Sequence, residues 1–145
     1  MGERLGRLLD LEVRTLVCLQ PLAERGRGGT LFPDHLGAFA RLAVLRQVAV
    51  ITHRLPIADM SVPAPERMRD ILDAIDTGLT SGSVLVHCWG GHGRTGTALG
   101  CWLRRQGLDG DDALATLAAA RRHHDFGQPA PQTDEQRAFI HAWTA

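Results

Sequence analysis

Lysine, tyrosine and asparagine are missing from the 145 residues, and all 16 basic side chains are arginine. The lack of lysine removes one common phosphate site outright, because GxxxxGK[ST] has no place for its ammonium group. An excess of one charge is also missing: 16 basic residues balance 16 acidic ones, so nothing in bulk draws the chain to nucleic acid or to an anionic membrane. There are only three cysteines and no CxxC pair, which gives neither a disulfide framework nor a zinc signature. A reducing cytoplasm is the compartment expected, with no metal and no cofactor. Apolar runs are far too short to span a bilayer. The start, MGERLGRLLDL, alternates charge with leucine and lacks the apolar block of a signal peptide. The arginine-only basic set reads as GC-rich codon bias of a bacterial kind.

What is present is an ordinary globular composition, 44% hydrophobic and 22% charged, over a length that fits one domain, 1–145. Periodicity places helices at Glu3–Leu11, Asp34–Gln47 and Glu66–Leu79, then at Thr95–Gln106, Asp111–His123 and Thr133–Trp143. Apolar runs place strands at Arg14–Gln20, Val48–Leu55 and Ser83–His87. Glycine and proline make loops of Arg25–Thr30 and Pro56–Pro65. Asp70, Asp73 and Asp76 recur at helical spacing and read as a solvated face. The alternation predicts an α/β sandwich, a central, mostly parallel sheet of four to five strands flanked by helices.

One stretch stands apart. After the strand Ser83-Val84-Leu85-Val86 the chain reads His87-Cys88-Trp89-Gly90-Gly91-His92-Gly93-Arg94-Thr95-Gly96-Thr97. A glycine-rich turn between a strand and a helix start is a ready anion cradle: successive N–H groups line a concavity and the helix N-terminus adds positive potential. Arg94 can grip two oxygens of a phosphate at once. Cys88 lies at the base of the same cradle, where N–H donors and an arginine favour the thiolate, the nucleophilic form. Cys18 and Cys101 read as buried thiols without such surroundings.

HCWGGHGRTGT resembles the Cys-x5-Arg-[Ser/Thr] signature of the cysteine-dependent protein tyrosine and dual-specificity phosphatases. The likeness runs over nearly the whole chain. Pro56-Ile57-Ala58-Asp59 is similar to the general-acid loop of compact members, and Gln132-Thr133-Asp134-Glu135-Gln136-Arg137-Ala138-Phe139 to the late glutamine motif of tyrosine phosphatases. The resemblance implies that Cys88 attacks phosphorus, and that Arg94 and the N–H groups of Trp89, Gly90, Gly91, His92, Gly93 and Arg94 hold the phosphoryl oxygens. Asp59 would protonate the leaving oxygen and then help to activate water. Thr95 would donate a hydrogen bond to Cys88, His87 would brace the loop, and Gln132 and Gln136 would position the water. Trp89 and His92 would shape the mouth.

The chain also departs from that pattern. Larger tyrosine phosphatases wall a deep pocket with a tyrosine from an early loop, and this chain has none. The usual N-terminal strand segment is short or absent. The expected substrate is a phosphorylated protein or a small phosphomonoester, with phosphotyrosine foremost. An inositide, a nucleotide or an RNA end, or phosphate binding without catalysis, stays open as an alternative.

Overall fold

The computed structural model describes residues 2–122 and 128–144. In chain order the elements are α1 (Gly2–Asp10), β1 (Val13–Cys18), α2 (His35–Leu45), β2 (Ile51–Arg54), α3 (Pro65–Leu79), β3 (Ser83–His87), α4 (Gly93–Arg105), α5 (Gly110–Arg121) and α6 (Asp134–Ala142). Each expected helix and strand appears, Ser83–His87 with the same bounds and the others with ends shifted by up to three residues. His123, the expected last residue of α5, lies outside the described residues.

The sheet corrects the expectation of four to five strands. Among the described residues it has three, in the order β2-β1-β3, and both pairings are parallel. β2 is also shorter than Val48–Leu55. Gln47 turns through a φ of 57°, and the Val48 N–H donates back to the Ala43 carbonyl. That bond closes the end of α2 and removes Val48 from the ladder.

β1 is central and buried on both faces, as a parallel strand requires. Leu16 and Cys18 pack under α1 and α2 with Leu5, Leu9 and Phe39. Val17 and the following Leu19 face the other way, into a larger core with Met68, Ile71 and Leu72 of α3, Ala98 and Cys101 of α4, and Ile140 of α6. Each fully buried side chain of this size contributes about 1.5–3 kcal/mol.

Asp73 and Asp76 are not merely a solvated face. Arg105 Nη1 reaches them at 2.8 and 2.9 Å, and Trp102 Nε1–H donates to Asp76 at 2.8 Å. These contacts tie α4 to α3. Because the strands are parallel, all three carboxyl ends open on one edge of the sheet, where cleft ligands of α/β folds sit.

Candidate active site

β3 ends at His87, and the chain then turns through Cys88–His92 before α4 starts at Gly93. Gly91 makes that turn at a φ of 71°, a conformation glycine adopts without strain. Gly93 has a different reason to be glycine: a Cβ there would come within 2.9 Å of Gln136 Oε1. No side chain caps the N-terminus of α4 beside the loop, which leaves first-turn N–H groups of the kind an anion site uses.

Cys88 is 7% exposed and faces a cavity of about 280 Å³. The Gly91 N–H donates to its Sγ at 3.3 Å. Asp59, Trp89, His92, Arg94 and Gln132 line the same cavity, so residues far apart in the sequence meet at one point. Gln128, Met60 and Arg27 complete its wall.

Arg94 is 2% exposed, and the partner that holds it is Glu24, a residue that sequence reasoning missed. Arg94 Nη1 and Nη2 donate to the two carboxylate oxygens of Glu24 at 2.5 and 2.9 Å, a bidentate pair. Gln20 donates to Glu24 in turn, at 3.1 Å. The Arg94 hydrogen bonds hold the Glu24 carboxyl below its ordinary range, against the opposing effect of burial. Burial disfavours the Arg94 charge, but the bonds and charge of Glu24 more than offset this. Asp59 Oδ1 stands 3.1 Å from Arg94 Nη2 on a side chain that is 55% exposed, so the carboxylate reaches the cavity and solvent together.

The remaining expected site residues separate. His87 Nδ1–H donates to the Cys88 carbonyl at 3.2 Å. Thr95 Oγ1 is buried and has no hydrogen-bond partner, so the bond expected from Thr95 to Cys88 is not formed here. Gln136 corrects the expectation that it positions water. Its Oε1 accepts from the N–H groups of Gln132 and Thr133, and its Nε2 donates to the Ser61 carbonyl at 3.2 Å. It caps α6 and ties that cap to the loop that carries Asp59.

His92 accepts a 2.6 Å hydrogen bond from Arg121 at its Nδ1, and Arg121 also donates to the Gly91 carbonyl. Burial and the Arg121 charge both hold His92 below its ordinary pKa. Trp89 lines the cavity, 6.0 Å from Phe32 between ring centroids, with the Arg27 guanidinium 5.8 Å from its ring. Cys101 has no such setting: burial pushes its thiol up to about 12.

A family described as "Swiss Army Knife protein, DSP-PTPase phosphatase domain" matches residues 1–141. The tyrosine-protein phosphatase cdc-14 of Caenorhabditis elegans is 34% identical over 82 residues, 56% of this chain and 11% of that protein. Cyclin-dependent kinase inhibitor 3 of Homo sapiens is 31% identical over 102 residues, 69% of this chain and 46% of that protein. The chain thus spans about half, or less, of the length of the curated relatives it matches. Among solved structures, Tk-PTP in its active form aligns with a TM-score of 0.72 and 26% identity, over 97% of this chain and 83% of that one. Kinase associated phosphatase with its catalytic cysteine changed to serine aligns at 0.69 and 22% identity, over 97% and 73%, which is a likeness of fold.

Proposed function

The chain belongs to the DSP-PTPase phosphatase domain family, and from that premise we propose that it hydrolyses phosphomonoesters, phosphotyrosine in proteins foremost, through a cysteinyl-phosphate on Cys88. The observation that carries this reading is the meeting of Cys88, Arg94 and Asp59 around one cavity. In the first step Cys88 Sγ attacks phosphorus, the S–P bond forms and the P–O bond to the leaving group breaks. Asp59 gives its proton to that oxygen. In the second step water attacks phosphorus and yields a proton to the Asp59 carboxylate. The S–P bond then breaks and the sulfur leaves as thiolate, and the unpaired Thr95 hydroxyl is a donor in reserve for it.

Arg94 holds the equatorial oxygens, where charge spreads in the transition state. Glu24 occupies the Nη1–Nη2 edge of the guanidinium, which leaves the Nε edge to face phosphate, with Asp59 Oδ1 beside it at 3.1 Å from Nη2. No helix among the described residues is long and apolar enough to cross a membrane. A cytoplasmic domain over 1–145, acting on phosphoprotein or small phosphomonoesters and independent of nucleic acid and membrane, is the setting proposed.

The test is turnover of p-nitrophenyl phosphate alongside calorimetric binding of inorganic phosphate. Cys88→Ser is expected to lose at least about a thousandfold in kcat, since an alkoxide replaces the thiolate as nucleophile and leaving group. Phosphate binding persists, because backbone and Arg94 supply it. Activity within tenfold of the unsubstituted protein removes Cys88 as the nucleophile.

A further inference from the structure

Beside the phosphate loop, on the face of the sheet turned toward α2, three ligand-type side chains meet. Cys18 ends β1 directly opposite His87 in the β1–β3 register. His35 enters from the first turn of α2. Cys18 Sγ, His35 and His87 each offer one atom, and these atoms all lie within 4.8 Å of one another.

The protons on the two rings decide what the cluster can hold. His35 Nδ1 stands 3.1 Å from the Pro33 carbonyl, and His87 Nδ1 stands 3.2 Å from the Cys88 carbonyl. A carbonyl only accepts, so both Nδ1 atoms carry hydrogen. In neutral rings both Nε2 atoms are then bare lone pairs. Yet those two atoms face each other at 3.1 Å. Two lone pairs at that separation repel unless a positive centre sits between them. The ring centroids are only 4.8 Å apart and the planes are inclined by 67°, so the nitrogens meet at an angle rather than head-on.

We propose that His35 Nε2, His87 Nε2 and Cys18 Sγ bind a zinc-class divalent cation next to the phosphate loop. Imidazole and thiolate are the ligands this ion prefers. Ligating histidines characteristically donate their second N–H to a backbone carbonyl, which both rings do here. Bonds of about 2.0 Å to nitrogen and about 2.3 Å to sulfur in tetrahedral array set ligand atoms roughly 3.3–3.6 Å apart. The histidine pair, at 3.1 Å, is within a few tenths of an ångström of that spacing, and Cys18 has about 1.2 Å at most to close.

On binding, the Cys18 S–H proton passes to solvent and the metal–sulfur bond forms. Arg54 Nη1 donates to that sulfur at 3.4 Å and remains an outer donor to the thiolate. Its charge limits affinity, and the thiolate supplies the compensating charge. A shared proton, the other possible occupant, brings no counter-charge with it. A cavity of about 90 Å³ adjoins His35, lined also by Gln20, Asp34 and Arg54.

The test uses metal-free protein carrying Cys88→Ser, so that the active-site thiol cannot compete. Titration with Co²⁺ is expected to saturate at one equivalent with a thiolate-to-cobalt charge-transfer band, and Zn²⁺ is expected to displace the cobalt and raise Tm. Adding Cys18→Ser removes the band, and adding His35→Ala weakens binding at least tenfold. If Cys18→Ser does not fold, His35→Ala, at a half-buried helix start, decides alone. Silence toward both ions means that a shared proton fills the gap, and it overturns the proposal. So does a band that survives Cys18→Ser, or an affinity unchanged by His35→Ala.

Discussion

Two thiols lie one strand apart at the same edge of the sheet, and burial does not distinguish them. Cys18 is 0% exposed and Cys88 is 7% exposed. Their surroundings differ in what the sulfur faces. Cys88 looks into a cavity, with a backbone N–H on its sulfur and the N-terminus of α4 behind it. Cys18 looks toward α2, with two imidazoles and the Arg54 guanidinium around it. Burial pushes the Cys18 thiol up. Donors and access, rather than depth, are therefore what is expected to set the two thiols apart in reactivity.

That contrast can be broken most directly by alkylation. Iodoacetate, an anion, is expected to label Cys88 at least a hundredfold faster than Cys18 or Cys101, read by peptide mass spectrometry, with phosphate protecting Cys88. Equal labelling of Cys18 and Cys88 ends the distinction.

The next effect in size concerns the acid above the Cys88 side of the edge. Asp59→Asn is expected to cost about a hundredfold in kcat with aryl phosphates of poor leaving group, and much less with activated esters. A uniform loss across a leaving-group series makes Asp59 structural.

A smaller change in rate comes with a larger one in stability. Glu24→Gln leaves the buried Arg94 without its full counter-charge, which is expected to cost about 3 kcal/mol in urea unfolding. It also lowers kcat roughly tenfold through loss of guanidinium orientation, and Glu24→Asp recovers part of both. A stable variant with unchanged kcat removes Glu24 as the positioning residue.

The last prediction is a pH dependence. The folded protein holds the Glu24 carboxyl below its ordinary value of 4.5. Its contribution to stability is therefore complete above that value and is lost as pH falls through the folded-state pKa. The acid limb of the unfolding curve is expected to flatten in Glu24→Gln. A limb of unchanged steepness assigns the acid sensitivity to other groups.

Local chemistry was the legible part of this molecule. Ser83–His87, the glycine turn and the helix after it follow from contiguous residues, and the structure has all three. Glu24 was invisible for the opposite reason: it lies in an irregular loop 70 positions from Arg94, and nothing in its neighbours says that a guanidinium will arrive. Gln136 was misread because the same side chain serves a capping box and a water site equally well on paper, and only the position of the Ser61 carbonyl separates the two. The start of β2 was misplaced because Val48 has the right residue type for a strand but bonds back to Ala43. The approach of His35 to Cys18 and His87 gave no signal because nothing along the chain ties the first turn of α2 to the ends of β1 and β3.

The common direction of the three strands also has a practical meaning. The candidate active site and the Cys18–His35–His87 cluster gather where β1 and β3 end. The turns that lead into the three strands, at Glu12, Gln47 and Gly82, lie at the far edge. A tether, a dye or a fused domain attached at that far side would leave the mouth unobstructed, so the molecule can be anchored to a sensor surface with its working face turned outward.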